Sequence, residues 1–390
     1  MATRYTPVEM IEKLVSFDTV SRNSNLNLID FVADYLTQYD VPCEKIYNDD
    51  GTKANLLATV GPNIEGGIVL SGHTDVVPVD GQPWDTDPFV VVEKEGKLYG
   101  RGTSDMKSFS AIALSLVPEM LEKGLKKPIH IALSYDEEIG CLGSPRMIQR
   151  IVESCPKPRA VIVGEPTMMD IVTAHKGIVG LKTKVIGREA HSSLVEDGVS
   201  AVMTAANLVT YIAGMMAENK ANADDNSRYA PSPGYSTLHV GVINGGTAMN
   251  IISRECEFTW DIRYVSEDDP QKFIDRFEDY CRSEILPAMQ AIAPECSIET
   301  RVVSSTSALG PEEKGEAEML CKKLTGKNST YFVSYAAEAG QFQNAGFSTV
   351  ICGPGSIGIA HQPNEYIELE QVKASEIFIR NLIDELSTAS

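Results

Sequence analysis

The chain of 390 residues contains no Cys-Xaa-Xaa-Cys pair. Its eight cysteines, Cys43, Cys141, Cys155, Cys256, Cys281, Cys296, Cys321 and Cys352, lack the spacing of a disulfide framework or a thiolate zinc cluster. They read as reduced thiols of a cytosolic protein. The opening "MATRYTPVEMIEKLVSFDTV" has no apolar signal-peptide core, and no charge-free run is long enough to span a bilayer. Positive charge is scarce: 34 Lys and Arg stand against 54 Asp and Glu, for a formal net charge of -20 and a sequence pI near 4.8. Such a chain repels phosphate, which argues against nucleic-acid and anionic-membrane partners. Histidine is scarce too, with six in all, and there is neither an internal repeat nor a low-complexity segment. What remains is an ordinary globular composition, 43% hydrophobic and 23% charged, in a chain long enough for more than one domain. A cytoplasmic location is expected.

Local signals outline an α/β pattern. Thr6, Pro7 and Glu9 form the start of a first helix, with the capping-box spacing, and a second is expected over Leu26–Gln38. The strands "NLLATV", "GGIVLSGH", "IHIALSY" and "AVIVGE" then alternate with helical sequence, including Met106 to Lys123, which predicts a mixed, largely parallel sheet covered by helices. After Gly177 the order changes to β-α-β-β-α-β. It runs through "IVGLKTKVIG", a helix near Val199–Met216, "STLHVGVI", "CEFTWDIRY", a helix near Pro270–Ile285 and "SIETRVV". This order describes a small α+β domain of ferredoxin-like type inserted into the first. A helix near Glu312–Leu324, the strand "STVICG" and a closing helix over Leu369–Leu386 resume the α/β pattern.

Within "IHIALSYDEEIG" a buried strand runs into Asp136, Glu137 and Glu138. Adjacent carboxylates repel and must be solvated or paired, so a wet loop is the plain interpretation. Four further polar motifs change that interpretation. "SGHTD", "GEPT" and "GPGSIGIAHQPNEY" also follow strands, and "GRGTSDMK" precedes a helix. In open α/β sheets ligands bind beyond the carboxyl ends of the strands. His73, Asp75, Asp105, Glu137, Glu138, Glu165 and His361 can therefore converge, and two histidines with several carboxylates make the ligand set of a dinuclear hydrolytic site. Zinc suits this mixed set best, with cobalt or manganese as substitutes. If the strand continues through "HTD", Asp75 shares a face with His73 and can fix its tautomer. One glutamate of "YDEE" can then bind metal while the other serves as general base.

Together these motifs resemble the co-catalytic zinc amidohydrolases that include acetylornithine deacetylase, succinyl-diaminopimelate desuccinylase, aminoacylase and bacterial glutamate carboxypeptidase. The resemblance covers nearly the whole chain. It is strongest toward the acetylornithine enzymes, through "AHKG", "STLHVGVINGGTAMN" and the tail from "AEAGQ" to "AHQPNEYIE". It implies that His73, Asp105 and Glu165 hold one Zn2+, that Asp105, Glu138 and His361 hold a second, and that Glu137 is the base. Co2+ would substitute. Residues 1–177 and 305–390 would form the catalytic domain, and 178–304 a lid and dimerisation domain of a homodimer. His191 would come from that lid to the partner's site, and Asn250, Arg263 and Gly355 would bind substrate. The peptide bond Asp105–Met106 would be cis. The implied reaction is hydrolysis of a small N-acyl amino acid, foremost N2-acetyl-L-ornithine to L-ornithine and acetate in arginine biosynthesis. Another deacylase, a desuccinylase, a dipeptidase or carboxypeptidase, or a non-catalytic binding protein of the same fold are the alternatives. Glu338 would pair with the ornithine ammonium, or else merely cap the helix after it.

The plainer interpretations fall on residues outside these motifs. His130 and His239 lie in strand patterns and read as structural. His175 fits either a domain junction or a cleft, and Asp85 and Asp87 read as loop acids. Met215 and Met216 continue an apolar helix face.

Overall fold

The structure, a computed structural model, describes residues 2–223 and 232–388. The polar stretch "ENKANADDNSRYAPSPG" therefore lies partly outside the described residues. The chain divides into two compact units. One comprises Met1–Thr173, Pro311–Phe332 and Ala337–Ser390; the other comprises Ala174–Gly310 and Val333–Ala336.

An eight-stranded mixed sheet carries the first unit. Its order is Cys43–Tyr47, Ala54–Val60, Ile129–Ser134, Ile68–His73, Ala160–Pro166, Thr349–Gly353, Ile171–His175 and Thr330–Val333. The four strands from Ile129–Ser134 to Thr349–Gly353 are mutually parallel. Both faces of this centre are covered, so Ile68–His73 and Ile129–Ser134 are buried at every residue and read as apolar runs rather than alternations. Met10, Leu14, Ile29, Val32, Phe109, Ile112 and Ile379 belong to the helices packed on them. The first helix, Pro7–Val15, starts with the expected capping box: the Thr6 hydroxyl accepts from Glu9 N–H, and the Glu9 carboxylate accepts from Thr6 N–H. The helix expected from Met106 to Lys123 is instead two, Lys107–Ser115 and Val117–Lys123, because Pro118 has no N–H to continue the ladder. Ser144–Ser154 adds a helix not anticipated after "YDEEIG".

The second unit is an antiparallel four-stranded sheet in the order Thr237–Gly245, Glu255–Tyr264, Gly177–Ile186 and Ser297–Thr306. Strict alternation of burial along Gly177–Ile186 shows that one face is packed. Leu181, Phe258, Trp260 and Ile262 fill that face beneath the helices Ala201–Asn222 and Pro270–Tyr280, which contribute Ala205, Leu208, Ile212 and Phe277. Among the described residues, no helix is long and apolar enough to cross a membrane.

Candidate metal centre

Parallel strands place their carboxyl ends on one edge of the large sheet, and the polar motifs gather there. His73 ends its strand and Glu165 is the next-to-last residue of the strand Ala160–Pro166, both on fully buried backbone. Asp105 comes from the loop before Lys107–Ser115, Glu138 from the loop after Ile129–Ser134, and His361 from the loop after Thr349–Gly353. The His73 Nε2 stands 3.1 Å from Asp105 Oδ1 and 3.7 Å from Glu165 Oε1. The His361 Nε2 stands 3.2 Å from Asp105 Oδ2 and 3.1 Å from Glu138 Oε2. Asp105 thus turns one oxygen to each histidine, the placement a bridging ligand requires. Glu137 lies equally close: ligand atoms of His73, Glu137 and Glu165, like those of His73, Asp105 and Glu138, fall within 4.8 Å of one another. The Asp105–Met106 peptide bond is cis.

So many carboxylates in so little water leave the cluster electrostatically frustrated. Burial, with the neighbouring acids Asp105 and Glu138, pushes the Glu137 carboxyl up, and burial together with Asp105 does the same to Glu138 and Glu165. Burial also acts to raise Asp105, but hydrogen bonds from His361 and His73 outweigh it and hold Asp105 low. His361 is raised to about 10 by its hydrogen bonds to Asp105 and Glu138. The histidines stand in for missing positive charge. Among the described residues, the buried Oε1 of Glu165 has no hydrogen-bond partner, and a buried acceptor left alone is costly. Divalent cations would relieve both defects, so the residues fit a pair of such ions, and mixed imidazole and carboxylate donors suit zinc, cobalt or manganese.

Asp75 organises the base. Its carboxylate accepts from the backbone N–H of Glu137 (3.1 Å) and of Glu138 (3.3 Å) and from the Ser21 hydroxyl (2.7 Å). The expected contact with His73 takes a different form. The strand ends at His73, so the imidazole Nδ1 meets the Asp75 backbone carbonyl at 2.9 Å, and the nearest carboxylate oxygen is 3.6 Å away. Asp136, the third acid of "YDEE", turns away to pair with Lys53 at 2.5 Å. Cys141, which the sequence did not single out, donates its thiol to Glu137 Oε1 at 3.3 Å.

Two proposed substrate residues are corrected by the structure. Glu338 is fully buried, and its two oxygens accept from Ser71 (2.5 Å) and Ser134 (2.8 Å). Its carboxylate braces two strands and presents nothing to a substrate ammonium. Gly355 is buried, its N–H points to Gln371, and its carbonyl accepts from Met168 N–H. Its φ of +87° and a Ser104 hydroxyl 2.6 Å from where a Cβ would stand explain the glycine without a ligand.

The remaining three site residues lie in the second unit. His191 and Asn250 are neighbours on an exposed surface, joined by the bridge His191–Ile251 and the bond from Ser192 N–H to the Asn250 carbonyl. The His191 Nδ1 lies 2.7 Å from the Ser193 hydroxyl and 3.2 Å from Ser193 N–H. Arg263, half-buried, pairs with Asp261 at 3.1 Å near the other end of its strand.

Comparison with known proteins agrees with this geometry. Residues 69–385 match the family described as peptidase family M20/M25/M40. The acetylornithine deacetylase of Pasteurella multocida (strain Pm70) is 31% identical over 388 residues, covering 98% of each chain. Among solved structures, a tripeptidase from Staphylococcus aureus superposes with a TM-score of 0.71 at 17% identity, covering 98% of both chains. The YXEP protein of Bacillus subtilis, described as a dinuclear metal-binding peptidase, superposes with a TM-score of 0.64 at 12% identity, again covering 98% of both.

Proposed function

The chain belongs to peptidase family M20/M25/M40, a metal-dependent hydrolase family, and from that premise we propose that it cleaves N2-acetyl-L-ornithine to L-ornithine and acetate. The observation that carries the hydrolytic reading is the cluster of His73, Asp105, Glu138, Glu165 and His361, with Glu137 beside it as the candidate base. The choice of substrate rests on relatives named acetylornithine deacetylase that match over the full length.

When bound, two zinc ions at this centre supply Lewis-acid polarisation of the scissile carbonyl and lower the pKa of the attacking water. Glu137 takes the water proton on a carboxylate oxygen and later gives it to the leaving amine. Asp75 holds the Glu137–Glu138 backbone so that one side chain stays free while the other serves as ligand. Arg263 pairs with the substrate α-carboxylate. His191 donates to the oxyanion.

His191 and Arg263 suggest that the working protein is a homodimer. Arg263 pairs with Ile178 near one end of the strand pair, and His191, bridged to Ile251, lies in the loops beyond the other end, where Glu255 pairs with Ile186. Eight residues of strand span about 27 Å, too far for both to touch one small substrate from the same chain. A partner chain supplies the missing group. The edge strand Thr237–Gly245 offers the surface for it. Residues 241–250 are all exposed, and Val242, Ile243 and Met249 stand there with Val202 and Met203 of the adjoining helix. An apolar, unpaired sheet edge of this kind is a liability unless covered.

Turnover of acetylornithine, lost on chelation and restored by Zn2+ or Co2+, tests the reading. Metal-loaded protein that leaves every N-acyl amino acid intact overturns it.

A further inference from the structure

The ligands of the metal centre rest on two kinds of support. His73 and Glu165 are held by buried strands, whereas Asp105 and His361 lie on loops, and the His361 side chain is 52% exposed with a left-handed backbone (φ 65°). Something other than the sheet must fix these two.

Arg101 and Glu365 meet this need. Both are buried, at 1% and 0% exposure, and the Arg101 Nη1 donates to Glu365 Oε2 at 2.6 Å. The other oxygen of Glu365 accepts three backbone N–H groups of the loop, from Gly102 (3.1 Å), Ser104 (2.8 Å) and Asp105 (3.0 Å), while Thr103 N–H turns to the Gly100 carbonyl. Neighbouring N–H groups turned onto one oxygen make a concave anion seat, which the left-handed Gly102 (φ +87°) helps to shape. The carboxylate filling that seat sits four residues beyond His361, so one side chain joins the loop of Asp105 to the loop of His361. Arg101 also has a second arm. Its Nη2 donates to Gln82 Oε1 at 2.6 Å, and Gln82 Nε2 donates to the His361 carbonyl at 2.9 Å. The guanidinium lies 5.1 Å from the Trp84 ring, and Nη1 reaches the Gln362 carbonyl at 3.3 Å.

We infer that Arg101 and Glu365 are positioning residues that hold the loop-borne ligands of the metal pair, Asp105 through Glu365 and His361 through Gln82. Among the described residues neither has a hydrogen bond to a ligand side chain; each acts on the backbone that aims one. A buried ion pair serving packing alone would have no reason to direct its hydrogen bonds to the backbone of one ligand and, through an intermediary, to that of another. The two arms also differ in reach. Asp105, with one oxygen toward each histidine, would serve both ions, so the Glu365 arm would support both. His361 belongs to one, so the Gln82 arm supports only that one. This inference rests on the dinuclear reading of the site.

Its test is Co2+ binding to metal-free protein, followed by the visible absorption of the bound ion and by competition with a chromophoric chelator, with no substrate present. Glu365→Gln keeps an oxygen for the N–H groups and removes the charge. Gln82→Ala removes the second arm without stranding a buried charge, and so retains the fold should Glu365→Gln fail to. Loss of a supporting contact of this type costs about 10–100-fold in metal affinity. Gln82→Ala is expected to loosen one ion in that range and leave the other at parental affinity, and Glu365→Gln to loosen both. Variants that melt at lower temperature but bind both ions as the parent does would reduce the pair to packing and overturn the inference alone. A parent that takes up fewer than two ions would overturn the dinuclear reading, and this inference with it.

Discussion

Arg263 pairs with Ile178 near one end of the antiparallel strands Gly177–Ile186 and Glu255–Tyr264, whereas His191 is bridged to Ile251 in the loops beyond their other end, where Ile186 pairs with Glu255. A site that uses both must therefore draw on two chains. Mixing inactive His191→Ala protein with inactive Glu137→Gln protein is expected to restore part of the activity, because one of the two heterodimer sites then has a native base and a native donor. Activity that stays absent after subunit exchange, verified by mass labelling, would place His191 outside the reaction.

Glu137 and Glu138 are neighbours in sequence with different expected roles. Glu137→Gln is expected to keep both metal ions and lose roughly 10²–10⁴-fold in kcat, the usual range for a general base. Glu138→Gln is expected to lose metal instead. Elemental analysis beside turnover separates the two, and near-parental kcat in Glu137→Gln would refute the assignment.

Asp105 offers an oxygen to each histidine. Asp105→Asn should consequently lower occupancy of both ions, whereas His361→Ala should lower only one. Metal content after dialysis against a weak chelator gives the comparison, and selective loss of a single ion in Asp105→Asn would contradict a bridge.

Glu338 braces strands and does not face solvent. Glu338→Gln is accordingly expected to leave the ratio of kcat/KM for acetylornithine over succinyl-diaminopimelate unchanged, while lowering the denaturation midpoint. A collapse of that ratio would return Glu338 to the substrate.

Two histidines set an acid limit on stability. Burial lowers His130 to about 4, and burial lowers His175 to about 4 against the weaker opposing effect of the hydrogen bond that its Nδ1–H donates to the Lys176 carbonyl. Their folded pKa values lie below the unfolded value near 6.5, so the unfolded chain binds more protons between the two. The stability they contribute is present above pH 6.5 and is lost as pH falls toward 4, on the order of 2 kcal/mol each by pH 5. Urea denaturation at pH 7.5 and pH 5 should show this fall, and a His130→Gln variant should show less of it. Equal falls in parent and variant would remove His130 as a cause.

The features legible in the sequence were local or lay at strand ends. Thr6 and Glu9 are three residues apart, so their capping box reads directly. The ligand motifs follow apolar runs whose ends a parallel sheet must bring to one edge. Ser144–Ser154 also carried a signal, Pro145 in the first turn and Met147, Ile148 and Ile151 on one face, but it was obscured by the acids before it. Glu338 was illegible for a different reason. Its partners Ser71 and Ser134 lie 267 and 204 residues away, and no pattern near Glu338 announces them. The same holds for Arg101 and Glu365, which lie 264 residues apart. Asp75 shows a subtler limit: alternation predicts its face only while the strand lasts, and the strand stops at His73.

The division of the first unit around the second has a consequence for how the protein is made. His73, Asp105, Glu138 and Glu165 all precede the inserted unit, while His361 and Glu365 follow it. From Glu165 to His361 the ribosome adds 361 − 165 = 196 residues, which takes roughly 10–40 s at typical synthesis rates. During that interval the inserted unit, one nearly continuous segment, can fold while the carboxylates of the nascent first unit wait without their last histidine and without the clamp on Asp105. The emerging chain is an acidic, half-built chelator, and the site closes only as the C-terminal segment leaves the exit tunnel.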